Sequence, residues 1–182
     1  MARPVPPLTM RPAGRDDVLA IAVLIRARSA WMRDRGRPDW DDSADDLADQ
    51  AAHPDIPVWV LTGGGEVIGC TTLLDESPEW LWTEAERTEP ALFMTGTVTD
   101  PRFAGQRLGC RLAWWVLDHA ARTGRTCVRR GTIVPELVRY YRDVQGWRVV
   151  RERGGHQVVG LSRQAARMPG LGIASAPHRP AP

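Results

Sequence analysis

The chain of 182 residues contains no lysine and no asparagine, and all 24 of its basic residues are arginine. The lack of lysine excludes Schiff-base catalysis on a lysine and the phosphate-binding lysine of a P-loop. The lack of asparagine excludes N-linked glycosylation. There is no run of about 18 apolar residues and no recognisable leader at the N-terminus, so we expect a cytoplasmic protein without a membrane span.

Cysteine is scarce, with widely spaced residues at Cys70, Cys110 and Cys127. An odd number without a CxxC pair argues against a disulfide framework or a zinc site, and we expect small buried apolar side chains at these positions. The four histidines also lack the spacing of metal ligands, and we predict no metal. They are His53, His119, His156 and His178.

The net charge is only +2, which gives no general case for binding nucleic acid. The charges are unevenly placed, because residues 38–55 carry seven aspartates and no arginine while residues 122–153 carry nine arginines. Length and composition predict one domain. We expect a flexible arm at 1–7, a domain at 8–164 and a disordered tail at 165–182.

Hydrophobic periodicity predicts the order β-α-α-β-β-β-α-β-α-β-β. Gln106–Arg122 is the clearest amphipathic helix and lies between two apolar strands, which implies that those strands pair in parallel. An acidic, tryptophan-containing segment at 77–89 interrupts the pattern. Strands are predicted at 8–11, 58–62, 66–74, 91–99, 125–134, 147–152 and 156–162, and helices at 14–33, 43–52, 106–122 and 135–144.

A glycine-containing turn, Gly105–Gly109, joins the predicted strand 91–99 to this helix. The first turn of a helix presents unpaired N–H groups and the positive end of its dipole, and glycine lets a phosphate approach the backbone. The turn lacks the G-K-[ST] of a P-loop and the GxGxxG of a dinucleotide site. Taken alone, it suits a pyrophosphate or serves only as a tight turn.

Two motifs together resemble the GNAT family of acetyltransferases. Thr99-Asp100-Pro101 and the turn Ala104–Gly109 are similar to the family's V-x-P and Q/R-x-x-G-x-G/A, and Leu137–Trp147 is similar to its tyrosine helix running into G-F. The resemblance covers residues 8–162. It implies an α/β (α+β) fold with a mixed, mostly antiparallel sheet of six to seven strands, a parallel pair at the CoA cleft, and about four helices.

The resemblance also implies that acetyl-CoA is the co-substrate. Strand residues around Thr97–Thr99 would hold the pantetheine arm, and the amides of Gly105 to Cys110 would bind the pyrophosphate. The residues implied to bind CoA are Thr97, Val98, Thr99, Ala104, Gly105, Gln106, Arg107, Leu108, Gly109, Cys110 and Tyr141.

Tyr141 matches the family's general acid by position, with Tyr140 as its neighbour. Many relatives carry a glutamate on the strand before the turn, whereas Phe93–Thr99 contains no carboxylate. Asp75 and Glu76 are then the nearest candidates for a general base. A water relay, or an amine that arrives neutral, is equally compatible with the sequence.

In this family the region after the first helix borders the acceptor cleft. Trp31, Trp40 and Asp41 are therefore candidate acceptor contacts, and the acidic run would attract a cationic substrate. Core packing of the tryptophans and a solvated acidic loop are the alternatives. The arginines of 122–153 either meet the 3′-phosphate of CoA or are solvated.

The sequence departs from the family pattern at three places. Arg107 stands where glycine is usual, Val134 stands where asparagine heads the tyrosine helix, and one extra residue separates Tyr141 from Gly146. The leading interpretation is transfer of acetyl to a primary amine of a small molecule or peptide by a monomer or homodimer. A module that binds acyl-CoA without catalysis and, more remotely, a nucleic-acid-binding protein are the alternatives.

Overall fold

The computed structural model describes residues 4–153 and 158–176. Five α-helices and eight β-strands lie within those residues. The strands are β1 Leu8–Pro12, β2 Val58–Gly63, β3 Glu66–Leu74, β4 Ala91–Thr99, β5 Cys127–Thr132, β6 Arg148–Arg153, β7 Val158–Gln164 and β8 Ile173–Ser175. The helices are α1 Val18–Arg33, α2 Ala44–Asp49, α3 Glu84–Arg87, α4 Leu108–Arg122 and α5 Pro135–Asp143. None of these helices is long and apolar enough to span a bilayer.

The chain divides into two compact units. The first contains the residues up to Thr72, Gly96–Leu112 and the residues from Gly172 onward, and the second contains Leu73–Thr95 and Ala113–Leu171. The second half of β4 and the first residues of α4 thus belong to the first unit.

In the first unit, β2 lies between β1 and β3 and pairs antiparallel with both. β8 pairs in parallel with β1, from Leu8 opposite Ile173 to Met10 opposite Ser175. The sequence predicted disorder beyond Arg167, so the structure corrects that expectation for β8. Pairing with β1 satisfies the backbone hydrogen-bonding groups of β8. The glycine- and proline-rich composition of the tail gives no sign of this pairing.

The core of the first unit forms between α1, α2 and the strands, because α1 turns one apolar stripe inward at helical spacing. Ser43 precedes α2 as predicted, but its side chain makes no capping hydrogen bond. The buried core residues are Ile21, Ala22, Leu24, Ile25, Ala44, Ala48, Ala51, Val58, Val60, Cys70 and Val98.

In the second unit, β5 pairs in parallel with β4 and antiparallel with β7, which in turn pairs antiparallel with β6. The parallel register extends only from Ala91 opposite Cys127 to Phe93 opposite Arg129. The predicted parallel pair is therefore confirmed, and it is three residues long. The glycine turn predicted between β6 and β7, with His156, lies outside the described residues.

The eight strands make one mixed sheet, where six to seven were expected, and the α/β class is confirmed. Strand β3 has the predicted bounds, whereas α4 begins at Leu108 and not at Gln106. The reason is that Arg107 has a φ of 60°, which is left-handed and cannot continue a right-handed helix.

Candidate functional site

A short 3₁₀ turn, Pro101–Phe103, follows β4 and leads into the glycine turn. Asp100 begins it: its buried carboxylate accepts hydrogen bonds from the backbone N–H and the Nε of Arg102, both at 2.8 Å. Arg102 also forms a 3.0 Å ion pair with Glu66 at the start of β3. These contacts, which the motif comparison did not identify, anchor the turn to the sheet.

The turn exposes backbone donors at the start of α4. The N–H groups of Gly105, Arg107, Leu108 and Gly109 find no backbone acceptor among the described residues. A Cβ added at Gly105 or Gly109 would meet nothing within 4 Å, so the space beside these two residues is open. Four free donors at a helix N-terminus fit an anionic group such as a phosphate.

Arg107 holds a left-handed conformation that a glycine would adopt without strain. Its position in the family pattern is one where glycine is usual, and its backbone lies in the region that favours glycine. Its carbonyl accepts the N–H of Arg111 at 3.0 Å, and its side chain is exposed. A left-handed residue that carries a side chain costs about 1–2 kcal/mol.

The strand residues expected to hold the pantetheine arm lie directly before this turn. Val98 is buried, and Thr97 and Thr99 are half-buried. The hydroxyl of Thr97 shares a 2.9 Å hydrogen bond with that of Thr71 on β3. Gly96 has a φ of 59°, which breaks the regular extension of β4 just before these residues.

Tyr141 lies in the second unit, on α5, and is half-buried. Val134 precedes this helix without a capping side-chain hydrogen bond, and Pro135 takes the first helical position. The ring of Tyr140 lies 6.1 Å from that of Tyr141 and is tilted by 56°. The two rings therefore lie close together. They differ in that the ring of Tyr141 packs against a buried arginine.

Arg130 on β5 provides that packing. Its guanidinium carbon lies 3.5 Å from the centre of the Tyr141 ring and 5.2 Å from that of Trp147. Arg130 is only 5% exposed, and its Nε is buried without a hydrogen-bond partner in the described part of the chain. Burial lowers the pKa of this guanidinium, and the two tyrosines oppose that effect.

The neighbouring Arg129 has the opposite environment. It is 2% exposed, and it donates hydrogen bonds to Ser77 at 3.2 Å and to Glu89 at 2.7 Å. It also lies over the ring of Trp82, which is buried. The expectation that arginines in this region are solvated or meet a phosphate is wrong for Arg129, because it fastens segment 77–89 to the sheet.

The two candidate bases differ in their surroundings. Asp75 forms an ion pair with Arg125 although its side chain is 69% exposed. Glu76 is exposed and makes no ion pair with any described residue. Of the two candidates, Glu76 is therefore the carboxylate that no described ion pair holds.

The acceptor candidates lie around the C-terminal end of α1. Trp31 is half-buried, with the guanidiniums of Arg28 and Arg35 at 4.3 and 3.8 Å from its ring centre. Trp40 is 40% exposed. Asp41 pairs with Arg33 at 3.4 Å, so part of the acidic charge is neutralised within the unit.

The three cysteines are free and buried, as predicted from their spacing. Burial raises the pKa of the Cys70 thiol to about 12, which removes it from nucleophilic chemistry near neutral pH. Among the described residues, no three histidine, cysteine, aspartate or glutamate side chains cluster in a way that suits a metal ion.

Solved structures share this fold. An acetyltransferase of the GNAT family from Listeria monocytogenes superposes with a TM-score of 0.68 at 14% identity, covering 86% of this chain and 94% of that one. The PaiA N-acetyltransferase from Thermoplasma acidophilum, solved in complex with coenzyme A, gives a TM-score of 0.61 at 13% identity and covers 86% and 98%. At these identities the likeness establishes the fold.

Sequence comparison establishes the family. A curated relative, the uncharacterized N-acetyltransferase YesJ of Bacillus subtilis, is 29% identical over 114 residues, which are 57% of this chain and 61% of that protein. The match thus spans about three fifths of the relative's length. The family model described as Acetyltransferase (GNAT) family matches residues 25–147, which include the turn Gly105–Gly109 and helix α5. The chain therefore belongs to the GNAT acetyltransferase family.

Proposed function

We propose that this protein transfers the acetyl group of acetyl-CoA directly to a primary amine. The observation that carries the proposal is the row of four N–H groups without backbone acceptors at Gly105, Arg107, Leu108 and Gly109. Membership of the family supplies the class of reaction, and a fold neighbour in complex with coenzyme A supports acyl-CoA as the donor.

In this proposal the turn binds the pyrophosphate of CoA. Backbone donors and the α4 dipole attract the anion, and the open space at Gly105 and Gly109 admits it. The exposed side chain of Arg107 adds positive charge beside them. Residues Thr97–Thr99 of β4 offer backbone groups to the pantetheine arm and to the thioester carbonyl.

The chemistry needs no covalent intermediate on the enzyme. The lone pair of the amine forms the new C–N bond, the C–S bond breaks, and the sulfur keeps the electron pair. Tyr141 donates the proton that the leaving thiolate accepts, and a base accepts the proton that the amine loses. Glu76 is the proposed base, because Asp75 is already paired with Arg125.

The acceptor is proposed to meet Trp31, Trp40 and Asp41. Arg33 already offsets part of the charge of Asp41, so the aromatic surfaces contribute more than net acidity to binding an amine. The cytoplasmic location and the monomeric or dimeric state remain predictions from the sequence.

Binding of acetyl-CoA to purified protein tests the site. The free energy of unfolding should rise by about 2.7 kcal/mol when acetyl-CoA is present at about 100 times its Kd. Gly109→Glu should weaken binding at least tenfold, because a carboxylate would stand in front of the free amides. Gly109→Gln, the matched neutral variant, separates this repulsion from added bulk and should weaken binding less.

Release of free CoA with a panel of primary amines tests catalysis. Absence of any stabilisation by acetyl-CoA would overturn the proposal as a whole. Stabilisation without amine-dependent release of CoA would favour the second candidate, a module that binds acyl-CoA only. The departure that motivates this candidate is Val134, which precedes α5 without capping it.

A further inference from the structure

Arg130 has no counter-ion in the described part of the chain. It is absent from every ion pair there, and its Nε is buried without a hydrogen-bond partner. Its side-chain neighbours are the rings of Tyr141 and Trp147. Arg130 also occupies the first position of β5 beyond the parallel register with β4, which stops at Arg129.

Such an arrangement is unfavourable for the resting protein. Moving a charge out of water costs several kcal/mol unless a partner of opposite charge and good hydrogen bonds repay it. Arginine does not escape this by losing its proton. Contacts with the two aromatic rings offset only part of this penalty.

No described carboxylate on this face of the sheet pairs with Arg130. Strand alternation places Leu161 and Arg163 of β7 on the side of Arg130, and Arg163 donates a hydrogen bond to the carbonyl of Gln145. Glu152 of β6, opposite Val159, lies on the same face two strands away from β5 and is exposed. On α5, Glu136 pairs with Arg139, and Asp143 pairs with Arg142. The titratable groups on this side are therefore the two tyrosines, Arg163 and the exposed Glu152.

Given the proposed function, on which this inference rests, we infer that Arg130 is a positioning residue for Tyr141. The stacked guanidinium holds the phenol ring in one orientation. When Tyr141 passes its proton to the sulfur of CoA, its oxygen keeps the electron pair of the O–H bond and becomes negative. Arg130 then gains the counter-ion that the resting protein lacks, and a solvent proton restores the phenol.

This role explains why the protein keeps a buried, unpaired charge that does not stabilise the fold. Groups fixed in advance toward a charge that develops only during the reaction accelerate it, because they do not reorganise at that moment. The strain of holding them is present before the substrate binds.

A double-mutant cycle between Arg130 and Tyr141 tests the inference in the full chain. Arg130→Met should lower kcat about tenfold or more, within the range that a positioned acid contributes, while KM for acetyl-CoA changes little. In the Tyr141→Phe background, Arg130→Met should have no further effect on kcat. Arg130→Lys should restore part of kcat, since it keeps the charge and loses the planar stack.

Arg129→Met is the matched control, because it removes a neighbouring buried arginine from the opposite face of β5. Its effect on kcat should be independent of Tyr141. The Tm of Arg130→Met should equal or exceed that of the unmodified protein, because an unpaired buried charge is removed. An unchanged kcat, an equal loss in both backgrounds, or a large fall in Tm would each overturn the inference.

The proposed function fails in a different way. If the unmodified protein releases no CoA from acetyl-CoA with any amine, the acetyltransferase assignment is at fault. If it does release CoA and the cycle is additive, only the role of Arg130 is wrong.

Discussion

Strand β5 points Arg129 to one face of the sheet and Arg130 to the other, and both side chains are buried. On the Arg129 face, segment 77–89 supplies hydroxyl, carbonyl and carboxylate acceptors, and Leu81 fits above the paired glycines Gly131 and Gly160. On the Arg130 face, the guanidinium lies against two aromatic rings, Tyr141 of α5 and Trp147 beyond the end of that helix.

The difference separates stability from function. A buried cation that is fully paired belongs to the framework, and removing it leaves its partners unsatisfied. An unpaired buried cation beside a proposed acid does not stabilise the framework, and we assign it to the proposed reaction. Arg151 strengthens the first face further, with a 2.6 Å hydrogen bond to Glu86 and its guanidinium 5.6 Å from the Trp82 ring.

The largest expected effect is on kcat and concerns Tyr141, which packs against Arg130. Tyr141→Phe should lower kcat by about 10²- to 10⁴-fold, because the leaving thiolate loses its proton donor. Affinity for acetyl-CoA should change little, and steady-state kinetics with calorimetry would measure both. Tyr140→Phe is the matched control, because it removes the same hydroxyl from the same helix. A larger loss of kcat in Tyr140→Phe would identify Tyr140 as the acid instead.

The next effect tests the Arg129 face. Arg129→Met should lower the free energy of unfolding by about 2 kcal/mol, below the 3–5 kcal/mol of a fully buried pair because Glu89 remains 47% exposed. Denaturant titration measures it. Arg148→Met, an exposed position on β6, should change stability by less than about 0.5 kcal/mol. Equal effects at the two positions would contradict the comparison.

A smaller effect concerns the turn Gly105–Gly109. Like the Arg130 face, this turn holds an unfavourable arrangement, which is here the left-handed backbone of Arg107. Arg107→Gly should raise the free energy of unfolding by about 0.5–1 kcal/mol, because glycine adopts a φ of 60° without a Cβ clash. Arg107→Ala removes the same charge but keeps the Cβ, and it should give no such gain. A gain of the same size for alanine would show that the side chain, and not the backbone, is the source.

The smallest effect uses pH together with a variant to isolate the contribution of Glu86 on the Arg129 face. Although burial opposes it, hydrogen bonds from Thr83 and the charges of Arg151 and Arg129 lower the pKa of Glu86. Its folded pKa is thus below the unfolded value of about 4.3, so its contribution is present above that pH and is lost as the pH falls below it.

The measurement is Tm against pH for the unmodified protein and for Glu86→Gln. The variant should show a shallower fall in acid, since it has no carboxylate to protonate. The difference in Tm between Arg130→Met and the unmodified protein should stay constant over the same range, because no described carboxylate pairs with Arg130. A difference that varies with acid would show that a carboxylate interacts with Arg130.

Much of the fold was predictable from local signals. Glycine and proline mark the ends of β3 and β4, and their apolar content predicts strands with the observed bounds. The parallel pairing of β4 with β5 followed from the amphipathic helix between them. The start of α4 was missed by two residues, because no local rule predicts that Arg107 will take a left-handed conformation.

Other features depend on residues distant in sequence. β8 forms because β1 offers a free edge, which its own composition does not reveal. The adjacent arginines of β5 were visible in the sequence, and strand alternation puts them on opposite faces. Which of them finds carboxylate and hydroxyl partners depends on segment 77–89 folding back over one face.

By itself, the sequence determined the family, the order of the elements, and the position of the glycine-containing turn and of helix α5. These are set by short-range patterns of glycine, proline and apolar residues, which act within a few turns of the chain. Only the tertiary structure decided that Arg129 is paired and Arg130 is not. Burial and the distance between charges are properties of the packed chain, and they give two identical side chains opposite roles.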